Sequence, residues 1–485
     1  MTHVKVAVVG SGFSGLGTAI ALKKSGRTDF VLLERGQEIG GTWHVNTYPG
    51  CACDVPSQVY SFSYELNPDW SHTYARQPEI QAYLLKVVEK HDLRRHVVFG
   101  AEVTDARWDG SIWEIETTAG SYTADVLVAG TGGLSEPAAP DIPGLSTFQG
   151  TLFHSAQWNS DWSANGQRVA VIGTGSSAIQ FVPHVQKDAA SLLLFQRTAS
   201  WVLPRRDRPV TKLEKRLYRR VPGLQRLSRG IVYTKTEIPL IGFRYDRRLL
   251  KLGEKMSLKH LEKQVPDPAL RAKLTPTFDL GCKRVLLSNH YYPALAADNA
   301  DVITDRIVQI VPEGLVTEAP DGTRTTHEVD TIILGTGFKV QDPPIAHRTS
   351  ANGETLAEHW KKTGLAAMHG VAVHGFPNLF FLMGPNTALG HNSVVLMIEA
   401  QIDHLVLLLD EMDKRGATTF EPRLDVQLAE DKRIQRELSG SVWNSGGCSS
   451  WYLDEHGRNT VLWPTFTFTY MRQMRDLKAE DYLLA

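Results

Sequence analysis

Cysteine is scarce in this chain of 485 residues: there are four, Cys51, Cys53, Cys282 and Cys448, and none forms a C-x-x-C pair. That tally fits a reducing compartment and argues against a disulfide scaffold and against a dithiol redox centre. Long apolar runs are also missing. Nothing approaches the ~20 residues that span a bilayer, so no integral membrane association is expected. Charge of either sign is not in excess, with 52 Lys and Arg against 53 Asp and Glu and a net charge of −1. A nucleic-acid partner, which needs a basic surplus, finds no support in that balance. The first apolar run begins at Val4, leaving no room for a signal or transit peptide, and a cytoplasmic setting is expected. Repeats and low-complexity tracts are absent, and no metal site is expected.

What the chain does have is glycine at the ends of apolar strands. The hydrophobic content of 42% and charged content of 22% are those of a globular protein. The length allows two or three domains. VKVAVVG, SGFSGLGTAIALKKSG and FVLLE read as strand, helix and strand, a βαβ unit with a right-handed crossover. Gly10, Gly12 and Gly15 form G-x-G-x-x-G, with Glu34 about twenty residues on to accept ribose hydroxyls. A structural glycine turn and a surface glutamate would be the plain alternative, and the flanking strand and helix weigh against it. Gly40-Gly41-Thr42-Trp43 and Tyr48 to Asp54 then make a loop dense in Gly, Pro and aromatics. Such a loop suits an extended cofactor with a flat ring, and FAD is the expectation. The expected FAD contacts are Gly10, Gly12, Phe13, Ser14, Gly15, Glu34, Arg35, Gly41, Thr42, Trp43, Asp54, Tyr60 and Val103.

A second unit follows. RVAVIG is a strand, TGSSAIQFVPHVQ opens a helix and SLLLFQR is a strand. Its loop is Gly173, Thr174, Gly175, Ser176, Ser177 and Ala178, with alanine in place of the third glycine. The following strand ends in Arg197-Thr198 instead of an acid. An acid would repel a 2′-phosphate, whereas arginine can pair with it, so NADPH is expected over NADH. DVLVAGTGG and DTIILGTGF are two shorter echoes, each a strand closed by Gly-Thr-Gly.

The expected architecture is α/β, with two Rossmann-like dinucleotide-binding domains, for FAD and NADP, and a helical insertion. The FAD domain takes residues 1–140 and 343–485, the NADP domain 141–205 and 281–342, and the insertion 206–280. A helix is expected from Ser393 to about Lys414.

Between the two loops lies FQGTLFHSAQWN. Phe148, Gly150, His154 and Trp158 match F-x-G-x-x-x-H-x-x-x-W, and residues 40–54 match G-G-x-W-x-x-x-x-Y-P-G-x-x-x-D. Lys283-Arg284 and the segment CSSWYLDEHGRNTVLWP add two further matches. Together these resemble the type I Baeyer–Villiger monooxygenases, within the flavin-containing monooxygenase superfamily. MGPNTALGHNS is similar to the hydroxyacetophenone-monooxygenase branch, without that branch's long N-terminal extension. Asn159 departs from the family's usual Pro or Asp. Flavoprotein disulfide reductases also carry two nucleotide sites, but they need a redox-active cysteine pair of suitable spacing.

The resemblance implies an enzyme that uses FAD, NADPH and O2 to insert one oxygen atom beside a ketone carbonyl, through a C4a-peroxyflavin, giving an ester or lactone. It implies Arg284 and Asp54 as catalytic candidates, with Arg284 stabilising an anion and Asp54 orienting it. Lys283 and Trp451 are expected near NADP. An oxygenase of S or N heteroatoms, or an NADPH oxidase without oxygen insertion, is the alternative. His154 invites a general-base role, but orientation of the two domains, or a satisfied core position, is preferred. The basic stretch Lys212 to Arg229 reads first as a solvated helical face, and second as a contact for a membrane surface or anionic partner.

Overall fold

In the computed structural model, which describes every residue except Ser135, two sheets organise the molecule. The larger has nine strands, drawn from residues 2–129 and again from 349–381. At its centre Thr2–Val9 runs parallel to both Phe30–Glu34 and Gly120–Ala129. Phe30–Glu34 is buried along its whole length, as an unbroken apolar strand covered on both faces should be. The helix Phe13–Lys24 crosses between the first two strands. Val394–Arg415 lies against it, started by Ser393 and stopped by Gly416 in the left-handed conformation. Leu379–Phe381 returns to the sheet beside Gly120–Ala129.

The smaller sheet has five parallel strands. Their order is Ala300–Ile303, Ser191–Phe195, Arg168–Ile172, Thr331–Leu334 and Thr151–His154. All of them fall between the two sets that build the larger sheet. The chain leaves the larger sheet through Gly130-Thr131-Gly132 and re-enters it through Gly335-Thr336-Gly337, the two Gly-Thr-Gly echoes. The crossing segments run antiparallel and are bonded to one another. Ala138 N donates to Gly337 O at 2.9 Å and Lys339 N to Glu136 O at 3.0 Å.

The block 206–280 is helical: Lys212–Arg220, Pro222–Glu237, Leu250–Gln264 and Pro268–Lys273. A single helix over Lys212 to Arg229 does not form. The chain breaks at Val221, φ −130°, because Pro222 sterically excludes its predecessor from the helical region. Among the described residues no helix is long and apolar enough to cross a membrane.

Candidate active site

The first strand ends at Gly10, whose φ of +98° favours glycine and where a Cβ would lie 2.8 Å from the Gly130 carbonyl oxygen. A Cβ on Gly15 would sit 1.9 Å from Gly10 O, so helix and strand pack too closely for any side chain. The start of helix Phe13–Lys24 has no side-chain cap, which leaves its N–H groups for an anion. Glu34 is at the end of its strand as expected. Its carboxylate accepts from Ser11 N at 2.9 Å, Ser11 Oγ at 2.6 Å and Gly36 N at 2.7 Å. These bonds fix it beside the loop.

One cavity opens here. Gly10, Gly12, Ser14, Glu34 and Arg35 line it, together with Phe13, Gly41, Thr42, Trp43, Tyr60 and Val103. Arg284 and Trp451 line the same cavity. Trp43 Nε1 donates to Tyr60 OH at 3.1 Å, and the Phe13 and Tyr60 rings meet edge-on at 5.3 Å. A phosphate-binding loop, an aromatic wall and a fixed cation in one cavity fit the parts of FAD.

Arg284 and Asp54 form a two-pronged ion pair. Arg284 Nε donates to Asp54 Oδ2 at 2.6 Å and Nη2 to Oδ1 at 2.7 Å. Burial works to raise the Asp54 carboxyl, but the Arg284 charge and its bonds, with help from Arg205, hold it below the usual range. The Asp54 charge in turn raises Arg284, against burial, so the guanidinium is charged at any working pH. Two neighbours complete the surroundings: Tyr452, within the CSSWY match, and Arg205, which no motif announced. Arg205 Nη2 donates to Cys53 O at 3.0 Å and adds positive charge at Asp54. Tyr452 is buried, its phenol raised to about 12 by burial despite the Arg284 charge. Cys51 and Cys53 stay as buried free thiols. Burial raises Cys51 to about 11, so neither is primed as a thiolate at neutral pH.

The second loop repeats the first. Gly173 has φ +112°, and a Cβ there would lie 2.4 Å from Gly335 O. Ala178 stands in the third glycine position, and a Cβ added at Gly335 would lie 3.4 Å from the Ala178 Cβ, so Gly335 leaves room for the alanine methyl. Thr174 Oγ1 donates to Thr198 O at 3.3 Å, while Gly175, Ser176 and Ser177 lead into helix Ala178–Asp188. Lys283 Nζ donates to Thr198 Oγ1 at 2.8 Å. Burial lowers the Lys283 ammonium, and the nearby Arg197 charge lowers it further. Arg197 and Lys283 have no acidic partner among the described residues, and a 2′-phosphate would answer both.

The cysteine expectation needs correction. Cys282 and Cys448, 166 residues apart, are joined by a disulfide. Spacing rules detect local pairs and not one closed by the fold, and the bridged pair removes the cysteine argument for a reducing compartment. The bond ties the residue before Lys283-Arg284 to the segment carrying Trp451 and Tyr452.

His154 and Trp158 do not line the cavity. His154 is buried at the end of its strand, its Nδ1 accepting from Ala156 N at 3.0 Å, and burial lowers its pKa. Trp158 packs against Phe153 at 5.1 Å and Phe181 at 5.4 Å, ring centre to centre. Phe181 lies on the helix after the second loop and meets Tyr48 of the first site at 6.1 Å. Asn159 Oδ1 accepts from Asp161 N at 3.1 Å, a turn bond that an aspartate would make equally well. The departure from the family pattern therefore preserves the local structure.

Two dinucleotide loops, one opening on an aromatic cavity and the other on an unpaired cationic corner, define an oxidoreductase of the flavin and pyridine-nucleotide class. A family model described as pyridine nucleotide-disulphide oxidoreductase matches residues 7–241. A Baeyer–Villiger monooxygenase of Pseudomonas aeruginosa is 48% identical over 99% of this chain and 92% of its own length. One of Streptomyces coelicolor is 48% identical with the same coverage. Among solved structures, an oxidised steroid monooxygenase bound to NADP matches with TM-score 0.86 and 28% identity, covering 100% of this chain and 99% of that one. An ε-caprolactone-bound cyclohexanone monooxygenase matches with TM-score 0.85 and 26% identity over 100% of both chains. The chain belongs to the Baeyer–Villiger monooxygenase family.

Proposed function

We propose that Arg284, held by Asp54, is the catalytic cation of this FAD- and NADPH-dependent Baeyer–Villiger monooxygenase, which converts a ketone and O2 to an ester or lactone. The bidentate bond between Asp54 and Arg284, which lines the cavity, carries the assignment. Bound FAD and NADPH supply the oxygen-transfer and hydride chemistry. The chain's own residues supply position and charge. Arg284 presents a permanent cation where negative charge develops on a ketone oxygen as its carbon is attacked, and a preorganised cation there lowers the barrier. Asp54 is a positioning residue: two bonds fix the plane of the guanidinium. Trp43, Tyr60 and Phe13 exclude water from the same space. Arg197, Thr198 and Lys283 hold the phosphate end of NADPH, and Trp451 lines the cavity together with Arg284.

The test is Arg284→Ala. It should retain FAD and still allow NADPH to reduce the flavin, yet yield no ester from a panel of aryl, linear and cyclic ketones. Ester formation near the unaltered rate would remove arginine from the chemistry.

A further inference from the structure

One helix of the insertion is built inside out. On Pro222–Glu237 the buried residues are polar: Gln225, Arg229 and Glu237. Gln225 Nε2 donates to Asn67 O at 2.6 Å, and Arg229 Nη1 donates to Gln58 O at 2.8 Å. Glu237 accepts from Thr467 N at 3.0 Å. The outward face carries Leu224, Leu227, Ile231 and Ile238, all exposed. Their spacing is that of an apolar helix face, pointed at solvent. Neighbouring helices of the insertion expose apolar side chains too: Leu213 and Leu217 on the preceding helix, Leu252 and Met256 on a later one, these four 65%, 40%, 71% and 38% exposed respectively. More than half of the large apolar side chains exposed among the described residues fall between Leu213 and Leu258. An ordinary solvated face does not concentrate them so.

The same segment is strongly basic. Residues 212–259 hold fourteen Lys and Arg against four Asp and Glu, which leaves the rest of the chain with a surplus of acids. Arg216, Arg220, Arg226, Lys235, Lys255 and Lys259 have no acidic partner among the described residues. Two copies of this face, brought together about a twofold axis, would set like charges against each other. An anionic surface would neutralise them while covering the apolar stripe.

We propose that this face docks on the surface of an anionic lipid bilayer. The leucine and isoleucine side chains enter the acyl boundary, and the unpaired lysines and arginines meet the lipid phosphates. The association is peripheral, since no described helix can span a membrane. It is independent of the catalytic assignment above.

The test is vesicle flotation of the FAD-loaded enzyme with phosphatidylcholine alone and with an equal mixture of phosphatidylcholine and phosphatidylglycerol. Binding should be about tenfold stronger to the anionic vesicles and should weaken with added salt. The triple variant Leu224→Ser, Leu227→Ser, Ile231→Ser should lose about tenfold or more of that binding. Its flavin absorbance and ketone turnover without vesicles should be unchanged, because these side chains already face water. Equal binding to both vesicle types, or full binding by the triple variant, would overturn the proposal. So would a dimer in sedimentation velocity that the triple variant dissociates, since the face would then be occupied by a second copy.

Discussion

Lys283 Nζ lies 2.8 Å from Thr198 Oγ1, so the residue beside Arg284 reaches the end of the second dinucleotide strand. With Arg197 it forms a cationic corner whose members repel one another until an anion arrives. A charge-assisted bond to phosphate contributes about 1.5–3 kcal/mol. Arg197→Ala should therefore raise the KM for NADPH about 10- to 100-fold and leave that for NADH nearly unchanged. Steady-state kinetics with both nucleotides decide it, and equal effects would refute the phosphate reading.

The Arg284–Asp54 pair predicts a pH signature. Asp54 has a folded pKa below its unfolded one, so its contribution to stability is complete above the ordinary carboxylate range. That contribution drains away as the pH falls through the depressed value. Asp54→Asn should be less stable than the parent at neutral pH, and the gap should narrow in acid. Urea unfolding across that range checks the sign, and a gap that does not change with pH would mean the pair contributes nothing through charge.

Trp158 bridges Phe153 and the second-loop helix through Phe181. Trp158→Ala should cost about 2–3 kcal/mol, less than for a fully buried tryptophan. It should weaken NADPH binding more than FAD binding, because the helix it supports carries the second loop. Denaturation together with nucleotide titration separates the two effects. Stronger loss of FAD than of NADPH would contradict this placement.

Cys282–Cys448 closes a loop of 166 residues. A chain-entropy argument puts its effect at up to about 5 kcal/mol. Reduction should lower the thermal midpoint and, by loosening the segment with Trp451, raise the KM for NADPH. The double variant Cys282→Ser, Cys448→Ser should show both changes and no further response to dithiothreitol. A parent whose midpoint ignores reductant would show that the bond does not hold the segment.

Much of this could be read from the residues alone, for physical reasons. Gly10, Gly15 and Gly173 are legible because only glycine tolerates those close backbone approaches. Arg197 is singled out by its place at a strand end after such a loop, where a 2′-phosphate is the expected partner. Arg284 and Asp54, 230 residues apart, emerge only through family resemblance, since nothing local marks their pairing. Arg205 and the disulfide escape for the same reason. In the insertion, periodicity announces amphipathic helices but not which face turns inward. Gln225, Arg229 and Glu237 turn inward because backbone carbonyls, a backbone amide and Asn392 await them there.

The paired crossing segments carry a mechanical consequence. Two antiparallel tethers stitched by Ala138–Gly337 and Lys339–Glu136 bonds behave like a door hinge and not a ball joint. Bending across the ribbon leaves the stitches intact, whereas twisting must break them. At these tethers, bending of the smaller sheet against the larger about the ribbon's own axis is the one rotation that leaves both stitches in place.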